Sequence, residues 1–258
     1  MAVNDRQSLW NPERQVAVHV SQEPWRLSDD VVPRVERHWE TVNRTGGRFF
    51  RGPLLTVSGV ERRSDRTIIN ACWTDYAHFL YSSRHLLPDH PDYVRVLFAA
   101  GCLITQDGYF LAGVMGSETS RPGWIQAVGG SAEPNEVSNA LFDPILSVVR
   151  EVREETGFNL LDPRIARSMQ VAGFTEDSYD GSIAVAVKVE LQWTHQEALR
   201  QFAQFRATAS ILELSDLRAV PLGDLGRQWL DGQSEPVVRY LRALIQAPEL
   251  APVGGPGD

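Results

Sequence analysis

The chain has 258 residues, 43% hydrophobic and 22% charged, a balance typical of globular proteins that fold in water rather than of disordered or membrane-spanning chains. Its formal charge of −8 excludes a broadly basic surface and with it the binding of long nucleic acid, so a phosphate-bearing ligand has to be held by a metal ion, a few arginines or backbone amides. No apolar run approaches the roughly 20 residues that span a bilayer, and the opening MAVNDRQSLW lacks the basic and apolar stretches of a signal peptide; no membrane contact and a cytoplasmic location are expected.

Taken in chain order, residues 1–90 alternate strand signals at 16–20, 54–60 and 67–73 with helical stretches at 29–42 and 76–84, and are predicted to form a small α+β extension. The segment LLPDHPDY (86–93) is the expected boundary. A second domain, 91–250, opens with a hairpin whose turn is Gln106-Asp107-Gly108, continues with a strand at 124–128, a Gly-Gly turn and a helix at 144–156, and then a long strand at 182–193. Helices are expected at 194–206, 223–231 and 235–247, giving strands interleaved with helices and a layered α/β domain. The ending APVGGPGD (251–258) reads as a flexible tail, and Cys72 and Cys102 as buried, reduced thiols.

Chemistry is concentrated on the helix at 144–156. Asp143-Pro144 supplies an N-cap acceptor followed by proline at the first helical position, and Gly157 supplies the left-handed residue that stops a helix. At ~100° per residue, Ile145, Val148, Val149 and Val152 form an apolar stripe beside an arc of Glu151, Glu154 and Glu155. Carboxylates at this spacing repel one another and suit a hard divalent cation such as Mg²⁺, and Arg150 is spaced to pair with Glu154. Spacing alone does not separate this from an ordinary solvated acidic face.

The string Arg150-Glu151-Val152-Arg153-Glu154-Glu155-Thr156-Gly157-Phe158 resembles the second half of the Nudix box, and Gly130, five residues and Glu136 resemble its first half. Thirteen residues separate Glu136 from Arg150 where the family has seven, so the surplus around VSNALF is read as an enlarged loop before the helix. Phe158 and Val128 also depart from the usual aliphatic residue and proline. The resemblance implies an α/β/α sandwich with a mixed sheet. It implies a catalytic set of Glu151, Glu154, Glu155, Arg150 and Glu136, with Mg²⁺ or Mn²⁺ held by the first three and by the Gly130 carbonyl, and hydrolysis of a P–O–P bond. The general base is either a box glutamate or an acid of the loop GFTEDSYDGS, where Glu176, Asp177 and Asp180 are the candidates.

Family members place a basic or aromatic residue near the strand entering the box, which makes Arg121 and Trp124 substrate-binding candidates: Arg121 for a phosphate, Trp124 for a base or as a half-buried structural residue. Phe174 is a further candidate of the same kind. Trp39, FFRGPLLTVSGV (49–60) and TDYAHFLYSSR (74–84) resemble the extension of UDP-sugar diphosphatases, which adds Arg51, Tyr76 and Arg84 as candidate contacts. What this implies is a small nucleotide substrate, UDP-glucose or UDP-galactose giving UMP and sugar 1-phosphate, with ADP-ribose or another nucleotide sugar as the alternative. A non-catalytic nucleotide-sensing domain is the rival of another class, and a homodimer is compatible with the resemblance.

Overall fold

The computed structural model describes residues 7–12, 15–44, 49–119, 121–209 and 212–251. Most of the tail expected at 251–258 lies outside them. The first region supplies β1 (Ser8–Asn11), β2 (Val16–Val20), α1 (Val32–Arg44), β3 (Pro53–Arg62), β4 (Thr67–Asp75) and α2 (Tyr76–His85). The hairpin expected around Asp107-Gly108 is β5 (Val96–Ile104) and β6 (Tyr109–Met115), followed by β7 (Ile125–Ser131). Then come β8 (Val137–Ser138), β9 (Leu141–Phe142), α3 (Pro144–Thr156), β10 (Ala166–Asp177), β11 (Ile183–Leu191) and α4 (His195–Thr208). β12 (Leu214–Pro221), α5 (Gly223–Asp231) and α6 (Arg239–Ile245) complete the described chain.

All twelve described strands join one mixed sheet, in which β11 runs parallel to β5 and β2 parallel to β4. Hydrogen bonding passes without a break from the first region into the second, through β3 on β5 and β2 on β9. Helices cover both faces: Val148 and Val152 of α3 and Ala198 and Phe202 of α4 pack into one apolar layer, while Leu230 of α5 and Leu241, Leu244 and Ile245 of α6 pack into the other. The fold is therefore an α/β/α sandwich. Central strands feed both layers, so Val185 and Val187 of β11 face one and Ala184 and Ala186 the other. That two-sided burial leaves the alternating strand expected at 182–193 buried along nearly its whole length, Lys188 included. α1 and α2 form a satellite core of Val31, Val35, Ala77 and Tyr81.

Helix α3 has the bounds its sequence signals specify. The Asp143 Oδ1 accepts from Ile145 N–H at 2.9 Å and Leu146 N–H at 3.2 Å, and Gly157 closes the helix at φ 77°. Gly101 on β5 lets it lie close: a Cβ there would stand 3.1 Å from Val148. Asp143→Ala is expected to lower stability by about 1 kcal/mol, read from the urea midpoint.

Several expectations are corrected. Gly129 and Gly130 do not form a turn but continue β7, paired with Ala100 and Ala99. The surplus after Glu136 is not an open loop but the hairpin β8–β9, and it adds to the edge of β2. Strands β1, β10 and β12 replace stretches given no element, so the loop expected at 173–182 shrinks as β10 runs on to Asp177. The helix expected at 235–247 is the shorter α6. Cys102 is buried as expected but Cys72 is only half-buried; both are free thiols. Among the described residues no helix is long and apolar enough to cross a membrane.

Candidate active site

The acidic arc of α3 lies under the last residues of β7. Glu155, 2% exposed, accepts a hydrogen bond from the Gly129 N–H at 3.1 Å through Oε2. Glu151 is packed on Gly130 so tightly that a Cβ there would fall 2.2 Å from Glu151 Oε1. The two glycines thus form a seat for two carboxylates. Gly130→Ala is expected to push Glu151 aside and lower kcat about 100-fold with little change in KM, the scale of a 1 Å misplacement. Steady-state kinetics on any substrate turned over checks it.

Arg150 ties the arc together. Its Nε donates to Glu136 Oε1 at 2.7 Å, its NH1 to Glu151 Oε1 at 2.9 Å and Glu154 Oε2 at 3.1 Å, and its NH2 to the Ser131 carbonyl at 2.9 Å. Glu133 stands 3.7 Å from the same Nε. Burial, opposed by Arg150 and reinforced by Glu213 and Glu154, raises the Glu151 carboxyl to about 7. Burial together with the charges of Glu213 and Glu151 holds Glu155 well above the usual carboxylate range. Glu213 itself, just before β12, is raised by desolvation and by Glu154.

Six carboxylates, Glu133, Glu136, Glu151, Glu154, Glu155 and Glu213, therefore crowd a place where Arg150 is the one paired cation among the described residues. Among those residues no three His, Cys, Asp or Glu side chains converge as a metal site. The donor chemistry nonetheless suits a hard divalent ion, being all carboxylate oxygen and in charge excess.

A pocket of about 590 Å³ opens beside this cluster, reaching it at Gly129, Gly130 and Ser131. Arg121 and Trp124 line it, with the guanidinium carbon 5.3 Å from the indole centroid. Phe98 and Tyr240 form another wall, edge to face at 5.2 Å. Asp177, Asp180 and Arg239 line the pocket as well, with Arg239 Nε 2.7 Å from Asp177.

The remaining candidates are scattered. Phe174 is fully buried in the core and has no surface to offer a ligand. Arg51 is held by Glu36 and Asp75 at 2.8 Å each and does not line the pocket. Tyr76 stacks with Phe49 and Phe79, and Arg84 lies near His38 on the α1–α2 pair. Glu176 sits on β10 in an ion pair with Arg62, while Asp177 and Asp180 pair with Arg239 and line the pocket, and none of the three pairs with Arg150. Glu133 and Glu213 were missed; neither has a local signal, since only the tertiary fold brings them to Arg150 and Glu155.

No protein-family model matches the chain, and no curated protein matches it. Among solved structures the chain is similar to a Nudix hydrolase from M. smegmatis, RenU, at 16% identity and a TM-score of 0.34, over 58% of this chain and 80% of that one. It is also similar to the E. coli ORF135 protein, at 16% identity and a TM-score of 0.30, over 58% of this chain and 87% of that one.

Proposed function

We propose that this protein is a Nudix-type pyrophosphohydrolase that cleaves the P–O–P bond of a nucleoside diphosphate joined to another group. UDP-glucose or UDP-galactose is the first choice of substrate and ADP-ribose or another nucleotide sugar the second. The observation that carries the reading is the carboxylate cluster of α3: Arg150 donates to Glu151 and Glu154, Glu151 and Glu155 sit against Gly130 and Gly129, and those two glycines line a pocket of about 590 Å³. A purely structural helix face gains nothing from burying mutually repelling carboxylates.

Glu151, Glu154 and Glu155, with the Gly130 carbonyl, would hold Mg²⁺ or Mn²⁺, which when bound neutralises phosphate charge and acidifies a water. Arg150 keeps the glutamates oriented through a rigid fork of donors. Glu213, a carboxyl whose proton affinity desolvation and Glu154 raise, adds a further negative charge beside the cluster. In the pocket, Arg121 over Trp124 presents a cation and an aromatic face to the nucleotide. Arg121→Ala is expected to raise KM about tenfold at nearly constant kcat, the signature of lost ground-state binding.

The test offers UDP-glucose, ADP-ribose, dinucleoside polyphosphates and nucleoside triphosphates to the purified protein with Mg²⁺ and follows phosphate-containing products. Turnover of a nucleotide sugar above the others is the expected result. If nothing turns over while a nucleotide raises the melting temperature, the chain is a nucleotide sensor and the hydrolase reading fails.

A further inference from the structure

We propose that the hairpin β8–β9, inserted between Glu136 and the cap of α3, is a positioning device: docked on β2, it fixes the Glu136 carboxylate and through it the Arg150 guanidinium. The inference rests on reading Arg150 and its carboxylates as the catalytic cluster.

A spacer of this length needs no register with anything, yet this one has a defined register at every step. Val137 pairs with Phe142 and Ser138 with Leu141 within the hairpin, and Phe142 and Leu141 pair with Val18 and His19 of β2. Asn139 and Ala140 form the two-residue turn at φ 51° and 62°, the left-handed conformation that such a tight hairpin demands. Asparagine adopts it readily, but alanine does so only where its surroundings impose it. Here the surroundings do: the Ala140 carbonyl accepts from the Val20 N–H at 2.9 Å, and Phe142 is buried at 5% exposure in the main core.

The base of the hairpin transmits this anchoring. The Asp143 N–H donates to the Glu136 carbonyl at 2.9 Å, so the two ends of the insertion are tied to each other and to the start of α3. Glu136, 5% exposed, then has both carboxylate oxygens committed: Oε2 accepts from the Glu133 N–H at 2.9 Å and Oε1 from Arg150 Nε at 2.7 Å. With Nε held there, the planar guanidinium directs Nη1 toward Glu151 and Glu154 and Nη2 toward Ser131. A strand near the start of the chain thereby sets the orientation of side chains on α3.

The test loosens the turn in the full-length protein. Proline at 140 cannot hold a positive φ, so Ala140→Pro unseats the hairpin, whereas Ala140→Gly keeps the turn. The ¹⁵N NMR signal of the Arg150 Nε–H, recorded without metal or substrate, is expected to shift and exchange faster in Ala140→Pro and to stay in place in Ala140→Gly. On a substrate that the wild type hydrolyses, Ala140→Pro is expected to lower kcat about tenfold with KM within about twofold. In a Glu136→Gln background the same change should add less than about twofold, because both variants act on one contact. An unshifted Arg150 signal, or effects that multiply in the double variant, overturns the proposal. Should Ala140→Pro fail to fold, Ala140→Val, whose β-branched side chain also resists positive φ, is read by the same measurements. If the wild type hydrolyses nothing, the hydrolase reading falls, and the NMR result still decides the role of the hairpin.

Discussion

Replacing Glu155 by glutamine is expected to raise the melting temperature of the metal-free protein while lowering kcat roughly 100- to 1,000-fold. The two effects share one cause. Glu155 is almost fully buried, faces Glu213 and Glu151, and among the described residues has one hydrogen bond, from the Gly129 N–H, to offset its desolvation. A glutamine carbonyl keeps that bond and removes the charge. The sign for pH follows from linkage: a carboxyl whose proton affinity is raised by folding favours the folded state below its unfolded pKa and costs stability as pH climbs toward its folded value. Glu151, raised to about 7, acts in the same direction. The metal-free wild type should therefore lose stability between pH 5 and pH 8, and Glu155→Gln should lose less. Calorimetry with a chelator at both pH values measures this. A variant that melts lower than wild type at pH 8, or keeps full activity, removes Glu155 from the role given to it.

The contrast between α3 and β7 shows what a sequence makes visible. Every signal for α3 is local: the Asp143 cap, Pro144, the spacing of Val148 and Val152, and Gly157 lie within the helix or one residue from it. Gly129-Gly130 is an equally strong local signal, and it misleads. Paired glycines usually mark a turn, but here both continue β7: Gly129, at φ 143°, has the Ala99 carbonyl where a Cβ would stand and gives its N–H to Glu155, and Gly130 leaves room for Glu151. Strand β12 was hidden by its bulge. A register shift between Leu214 and Asp216 puts Leu214 and Leu217 in the same apolar layer while Val220 faces the other, so the buried residues stand three apart and do not read as a strand. β10 is interrupted twice in the same way, between Ala166 and Ser168 and between Val171 and Gly173. With β10 unread, Phe174 looked like a loop aromatic when it is a core residue. Glu133 and Glu213 illustrate the wider limit, because a carboxylate in a cluster assembled from separate elements carries no mark in its own neighbourhood.

The opposite stability effect is expected from Arg150→Met, which should destabilise the protein by about 3 kcal/mol or more, the scale of breaking a buried ion pair from one side. Arg150 contributes no large apolar surface whose loss would explain such a change, and methionine replaces much of its stem. What disappears is the donor set: Glu136, 5% exposed, loses the bond at 2.7 Å, Ser131 loses its partner at 2.9 Å, and Glu151 faces Glu154 with nothing between them. Arg150→Lys separates charge from geometry. One ammonium restores the net charge and can satisfy Glu136 or Glu151, so part of the stability should return, but it cannot span four acceptors in one plane, so kcat should stay low. Urea denaturation and steady-state kinetics on both variants give the two readings independently. If Arg150→Met is as stable as wild type at pH 7, the carboxylates are not organised by this guanidinium. If lysine restores kcat in full, its charge rather than its fork is what the site uses.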